Sequence, residues 1–368
     1  MLGGPGKRCV VLMNQSSRDY TLLDVRPSPG PGRGAVSPQS SRDKRRKRSL
    51  PGSTVRREGS AISAISVAVT GCAAYLPDVA LEAALGERAA AVPSAPCDVR
   101  PVLGRKGLLY KEPATRLALA AVHRALGRED GAPRPDDHAD PRTAVVVSSN
   151  LGNLDTVCEL AGTVQAGSDR DVSPLSAPNA SSNVIATSVA IWYRFGGPNL
   201  MVCAGATGGL DALAVAVRLL RADRADRVVL VGVEPDDEVA TAVHRMRANV
   251  PAGSAPLAGA ACVLLEPAGT DRAVLALVEV PVPPWSDCPA GGLFIGPGSR
   301  APAGVAALDL VAQLGDAYGA LGVLQVAVGT LLLAGGLCGP AHLVCGDPAD
   351  GWRRATVTSA AGQEGGRS

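Results

Sequence analysis

The chain has 368 residues, 46% of them hydrophobic and 19% charged, which is enough apolar material for a sizeable core and excludes a fibre, a small disulfide scaffold and a wholly disordered chain. Its net charge of +2 conceals an asymmetry, because residues 1–58 carry 13 Lys and Arg against 4 Asp and Glu, leaving 23 against 30 for the remainder. The body is therefore mildly acidic and has no electrostatic reason to bind nucleic acid, and its most apolar stretch, Gly319 to Leu337, is too broken by Gly and Ala to read as a membrane span.

Nine cysteines at irregular spacings form neither a CxxC pair nor a secreted framework, so reduced thiols in the cytoplasm are expected. Only 5 of the 36 basic residues are Lys, a skew that points to a high-GC bacterial genome. Residues 1–60 are rich in Gly, Pro, Ser and Arg, include Arg45-Arg46-Lys47-Arg48, and lack apolar periodicity. They read as a disordered basic tail, or as translated sequence upstream of the true start.

Order is expected from about Ile62. Ile65 to Gly71 alternates as a strand, and Glu112 to Leu126 reads as a helix with Pro113 in its first turn. RPDDHADPR follows as a loop, then a buried-type strand over 144–149 and a helix from about Leu154. The pattern continues with a helix over 179–195, a short strand from Leu200 to Cys203, a helix from Thr207 to Leu220, and apolar strands over 227–233 and 259–266. Near-continuous apolar strands separated by helices predict an α/β fold whose sheet is covered on both faces.

The segments VSPLSAPNASSNV (172–184), GGPNLMVCAGATGGLDAL (196–213) and RADRADRVVLVGVE (221–234) resemble, in order and spacing, the β-ketoacyl synthases. SVAVTGCAAYLP (66–77), AVVVSSNLGNLDT (144–156), PLAGAACVLLE (256–266) and LGDAYGALGVLQVAVGTLLLAGG (314–336) extend the resemblance over about 62–346. It implies a thiolase-like α-β-α-β-α core of two similar halves, a ketosynthase-like N-terminal half over 61–267, a shortened C-terminal half over 268–355, and a disordered end over 356–368. It also implies a homodimer, or a heterodimer with an active ketosynthase, that meets an acyl carrier protein, with no cofactor.

The site the resemblance implies is stripped. Counted from Gly197-Pro198, the family's nucleophilic Cys falls on Ala206, whose methyl group forms no thioester, although its backbone N–H remains as an expected oxyanion donor. Asn183, Thr207 and Gly208 are the candidate acyl-pocket residues, and tight packing at a dimer-facing helix is the simpler reading of the glycines at 208 and 209. Asp316 stands where the second catalytic His is expected and Val311 where the family has Lys; an anion at 316 would repel a developing enolate. No His-Gly-Thr-Gly-Thr string exists, and the residues between Glu266 and Leu314 are too few for the usual connection. Cys203, three residues before Ala206, is the tempting substitute nucleophile, though a buried apolar thiol is its default reading. His123 and His244 read as surface residues, His138 as loop, and His342 with Cys345 as a weak pair on a late strand. No Ser-His-Asp order, phosphate loop, dinucleotide fingerprint or metal-ligand spacing is found.

Three readings follow for a protein of polyketide-like or fatty-acid-like biosynthesis. One is a non-catalytic subunit, similar to a chain-length factor, that partners a ketosynthase or docks a carrier protein. A second is an acyltransferase or thioester-processing enzyme using Cys203, Asp316 or His342. The third is a decayed paralogue or scaffold.

Overall fold

The computed structural model describes residues 11–13, 65–77, 98–135, 139–250, 254–269, 272–280 and 292–360. They form an 11-stranded sheet in the order β1-β4-β3-β5-β6-β2-β7-β11-β10-β8-β9. The strands are β1 (Val11–Met13), β2 (Ile65–Tyr75), β3 (Thr143–Ser148), β4 (Asn199–Cys203), β5 (Arg227–Glu234), β6 (Gly259–Pro267), β7 (Ala276–Val280), β8 (Leu293–Ile295), β9 (Ala306–Leu308), β10 (Ala341–Asp347) and β11 (Gly351–Ser359). The helices are α1 (Arg100–Leu103), α2 (Pro113–Ala125), α3 (Leu154–Ala166), α4 (Val184–Tyr193), α5 (Gly208–Arg221), α6 (Glu238–Met246), α7 (Leu310–Leu314) and α8 (Leu321–Ala334).

The sheet is a duplication. In the first half β4, β3 and β5 run parallel, β6 pairs antiparallel with β5, and β2 pairs antiparallel with β6. The second half repeats this with β9, β8 and β10 parallel, then β11 and β7 antiparallel. The halves join edge to edge where β2 pairs with β7. In this scheme α5, between β4 and β5, corresponds to α8, between β9 and β10.

Burial divides the molecule into layers. One apolar core packs α2 and α4 against the first half through Leu119, Val122, Ile185, Val145 and Val229. The other holds α5 and α8 between the halves, joining Val146 and Leu230 to Leu343 and Val357 through Leu213 and Val326. This is the α/β architecture the sequence implies. Among the described residues α7 and α8 are the helices of the second half.

Periodicity located most elements between Ile65 and Glu266, missed some of their edges, and did not anticipate β1, α1, β7, β8, β9 or β11. The helix expected over 179–195 starts at Val184, because Ala177–Ala180 around Pro178 form a separate 3-10 turn. β11 runs to Ser359, so residues 356–359 belong to a strand and not to the tail expected from 356. Within the expected N-terminal tail, Val11–Met13 pair in parallel with Met201–Cys203; the other residues up to 64, with the basic run, lie outside the described residues, as does His138. The stretch weighed as a membrane span contains α8, of 14 residues and buried all round. Among the described residues no helix is long and apolar enough to cross a membrane.

Candidate functional site

β4 ends at Cys203, and the chain turns through a 3-10 segment, Gly205–Thr207, into α5. Gly205 takes φ 61°, a conformation that favours glycine. Asn150, just beyond β3, holds it from both sides: Asn150 Nδ2 donates to the Gly205 carbonyl at 3.1 Å, and the Gly205 N–H donates to Asn150 Oδ1 at 3.1 Å. The next N–H, that of Ala206, donates at 2.8 Å to Asp350 Oδ2 from the β10–β11 turn. A Cβ on Gly205 would collide with this carboxylate. The Thr207 hydroxyl donates to the Ala204 carbonyl at 2.9 Å or to Asp211 Oδ2 at 2.6 Å, and Arg353 Nε binds Asp211 Oδ1 at 2.6 Å.

Behind the turn lies Glu234, the last residue of β5. Its carboxylate accepts from Ser149 Oγ at 3.0 Å and from the N–H groups of Asn150, Leu151 and Gly319 at 2.7, 2.9 and 3.2 Å. Burial outweighs these four donors and raises its pKa from 4.5 to about 7. Asp316 sits at the entry to the corresponding turn before α8. It is 5% exposed, accepts from Arg247 Nη1 and the Tyr318 N–H at 2.8 Å each, and has His244 Nδ1 at 3.8 Å. The Arg247 guanidinium also stacks 3.4 Å from the Tyr318 ring centroid.

Residues 105–267 match the N-terminal domain of the β-ketoacyl synthases. Over these residues the chain carries a β-ketoacyl synthase N-terminal domain. It is 30% identical over 124 residues to 3-oxoacyl-[acyl-carrier-protein] synthase 2 of Rhizobium meliloti (strain 1021), and 25% identical over 133 residues to the enzyme of that name from Coxiella burnetii. The matches cover 33% and 36% of this chain and only 29% and 32% of those relatives' lengths. Among solved structures, the ishigamide ketosynthase/chain length factor superposes with a TM-score of 0.61 at 22% identity, covering 80% of this chain and 99% of that one. A ketosynthase from a type II polyketide complex with its acyl-carrier protein gives 0.62 at 12% identity, over 80% of this chain and 99% of that one. A β-ketoacyl synthase from Burkholderia phymatum STM815 gives 0.58 at 14%, over 80% and 98%. At these identities the structural likeness is one of fold.

Laid on the ketosynthase plan, the residues singled out from sequence separate into two groups. Ala206, Thr207 and Gly208 are together at the start of α5, and Gly208 packs so closely that a Cβ there would lie 2.8 Å from Ser148 Oγ. Asn183 is elsewhere, preceding α4 with its Oδ1 accepting from Ser181 Oγ at 2.6 Å. Val311 is half-buried on α7 against the core. The tight packing expected of Gly208 and Gly209 is real but internal: a Cβ on Gly209 would lie 2.6 Å from the Gly322 nitrogen of α8, so these glycines serve a crossing within the chain.

Four expectations change. Asp316 is not a free anion facing a reacting group, because Arg247 neutralises it inside the protein. Ala206 does not offer a free oxyanion donor, because its N–H is bound to Asp350. Cys203 has its Sγ 3.1 Å from the Ser149 carbonyl, and burial, with Glu234 nearby, pushes its thiol up to about 11, so it stays protonated at neutral pH. His123 and His244 are not surface residues, each being 2% exposed; His123 Nε2 lies 2.7 Å from the Glu129 carbonyl, and burial lowers its pKa.

His342 and Cys345 lie three residues apart on β10 and so face opposite sides of the sheet, with His342 Nδ1 3.2 Å from Thr356 Oγ1. An apolar void between Leu76, Leu257, Ala261, Ala317 and Leu324 measures about 10 Å³, room for one water and not for an acyl chain. Sequence reasoning passed over Asn150, Arg247 and Asp350. The Asp347-Pro348-Ala349-Asp350-Gly351 string announces a turn, but nothing in it names the N–H that Asp350 reaches.

Proposed function

We propose that this chain is a non-condensing ketosynthase-family subunit of polyketide or fatty-acid type assembly, which pairs with an active ketosynthase and docks an acyl carrier protein. Ala206 carries the reading. It occupies the turn from β4 into α5, where the resemblance puts the nucleophile, and its side chain has no atom that attacks a thioester. Two further features support it. Asp316 is held in an ion pair where an imidazole is expected, and two of the similar structures are a ketosynthase/chain length factor and a ketosynthase bound to its acyl-carrier protein. The reading that moves the nucleophile to Cys203 has that thiol's burial and its bond to the Ser149 carbonyl against it.

The test is co-purification of the full chain with ketosynthases and carrier proteins encoded beside it, followed by intact mass after incubation with acyl-carrier thioesters. The expected result is a stable complex in which this chain gains no mass. An acyl adduct on this chain, or turnover of acyl and malonyl thioesters by the chain alone, would overturn the reading.

A further inference from the structure

We propose that Asp350 is an internal anionic ligand that closes the Ala206 turn, so that the site is shut by a second change independent of the missing thiol. The inference rests on the reading of that turn as a former acyl site.

The duplication is what makes the contact informative. The turns Gly205–Thr207 and Tyr318–Ala320 precede the corresponding helices α5 and α8, and their middle residues are Ala206 and Gly319. Glu234 ends β5 of the first half and accepts the Gly319 N–H of the second at 3.2 Å. Asp350 follows β10, the strand that corresponds to β5, and accepts the Ala206 N–H of the first half at 2.8 Å. Each half thus supplies a carboxylate to the other half's turn. The turn that would hold an acyl carbonyl has the same arrangement as its purely structural twin.

The carboxylate is delivered by a built hairpin. Asp347 Oδ1 accepts from the Ala349 N–H at 2.8 Å and the Asp350 N–H at 2.7 Å, fixing the turn between β10 and β11. On β11, Arg353 binds Asp211 in the first turn of α5 at 2.6 Å, tying the hairpin to that helix a second time. Gly205 leaves the space the carboxylate fills. An ionised acceptor on an N–H holds it more strongly than the neutral carbonyl of a thioester, and its charge opposes a second oxygen becoming negative beside it. Restoring the thiol alone therefore leaves the turn closed.

The experiment compares full-length Ala206→Cys with Ala206→Cys/Asp350→Ala and Ala206→Cys/Asp350→Asn. Alkylation by iodoacetamide is followed across pH 6–9 by mass spectrometry of the peptide containing position 206, with fragment ions separating it from Cys203. In that step the thiol proton goes to buffer, the thiolate forms an S–C bond, and iodide leaves with the C–I pair. Removing a like charge and freeing the N–H lowers the thiol pKa, so Asp350→Ala is expected to speed labelling at pH 7 about tenfold, one pKa unit's worth. Asp350→Asn, which keeps the shape and one acceptor, guards against a variant that fails to fold, which near-UV circular dichroism detects. Equal rates in all three folded proteins would overturn the proposal.

A hexanoyl N-acetylcysteamine thioester then separates the two readings. On transfer, the thiolate attacks the carbonyl and the N-acetylcysteamine thiolate leaves and takes a proton. Acylation in the Asp350→Ala double variant and not in Ala206→Cys supports both the plug and the acyl site. Faster alkylation with no acylation keeps the plug and removes the reading of the turn as an acyl site.

Discussion

Glu234 shows how a residue's environment decides its charge. Four donors surround a carboxylate that is only 2% exposed, and the donors favour the ion while burial favours the acid; burial wins, and the pKa rises from 4.5 to about 7. A carboxyl whose folded pKa lies above its unfolded one stabilises fully below the unfolded value and loses that contribution as pH rises through the folded value. This group therefore works against stability above pH 7, by an amount on the order of 3 kcal/mol when the shift is converted at 1.36 kcal/mol per unit. Urea unfolding of the full chain at pH 6 and pH 8.5 is expected to show the last part of that loss, roughly 1 kcal/mol, and Glu234→Gln to flatten it. A Glu234→Gln protein with the same pH slope as the parent would assign the dependence to other groups. At Asp316, equally buried, Arg247 at 2.8 Å supplies within the protein a countercharge that Glu234 lacks.

At the scale of elements, the decisive contact is the crossing of α5 and α8. Gly209 would put a Cβ 2.6 Å from the Gly322 nitrogen and 2.7 Å from its Cα, so the two backbones touch where both helices begin. Backbone cannot give way as a flexible side chain does. Gly209→Ala is expected to cost about 1–3 kcal/mol by overpacking. Gly162 is the control, because it sits inside exposed α3 with nothing within 4 Å of its Cβ position. There Ala should stabilise by up to about 1 kcal/mol through helix propensity alone. Urea midpoints of the two variants are expected to move in opposite directions; a neutral Gly209→Ala would mean the helices separate without cost. Most buried polar atoms of α8 find partners, Gln325 Nε2 donating to the Ile295 and Val344 carbonyls at 3.2 and 2.8 Å and Thr330 Oγ1 to the Val326 carbonyl at 2.8 Å, while Gln325 Oε1 is buried without one.

For the whole molecule, duplication does not make two independent domains. The halves share the layer of α5 and α8, and one apolar core contains Val67 and Leu230 from the first half with Leu343 and Val357 from the second. Neither half can bury its inner face without the other, so they should unfold together. Trp192 on α4 and Trp352 on β11 place a fluorescent reporter in each half. Single-tryptophan variants that keep one or the other are expected to give coincident urea transitions, and Val357→Ala should lower both midpoints equally. Two separated midpoints would show that the halves are autonomous.

The sequence by itself determined the order of most elements between Ile65 and Glu266, the α/β class and the absence of a thiol at Ala206. Each of these is written locally: apolar runs such as Arg227 to Val233 bury as strands, Pro113 opens a helix, and Ala206 has no sulfur wherever it lies. Tertiary structure alone decided what the remaining polar groups do. Whether Asp316 is a free anion depends on Arg247, 69 positions away, and whether the Ala206 N–H is a free donor depends on Asp350, 144 positions away. A pKa or a hydrogen bond is fixed by what the fold brings within about 3 Å and by how much water it removes, and no local pattern encodes either.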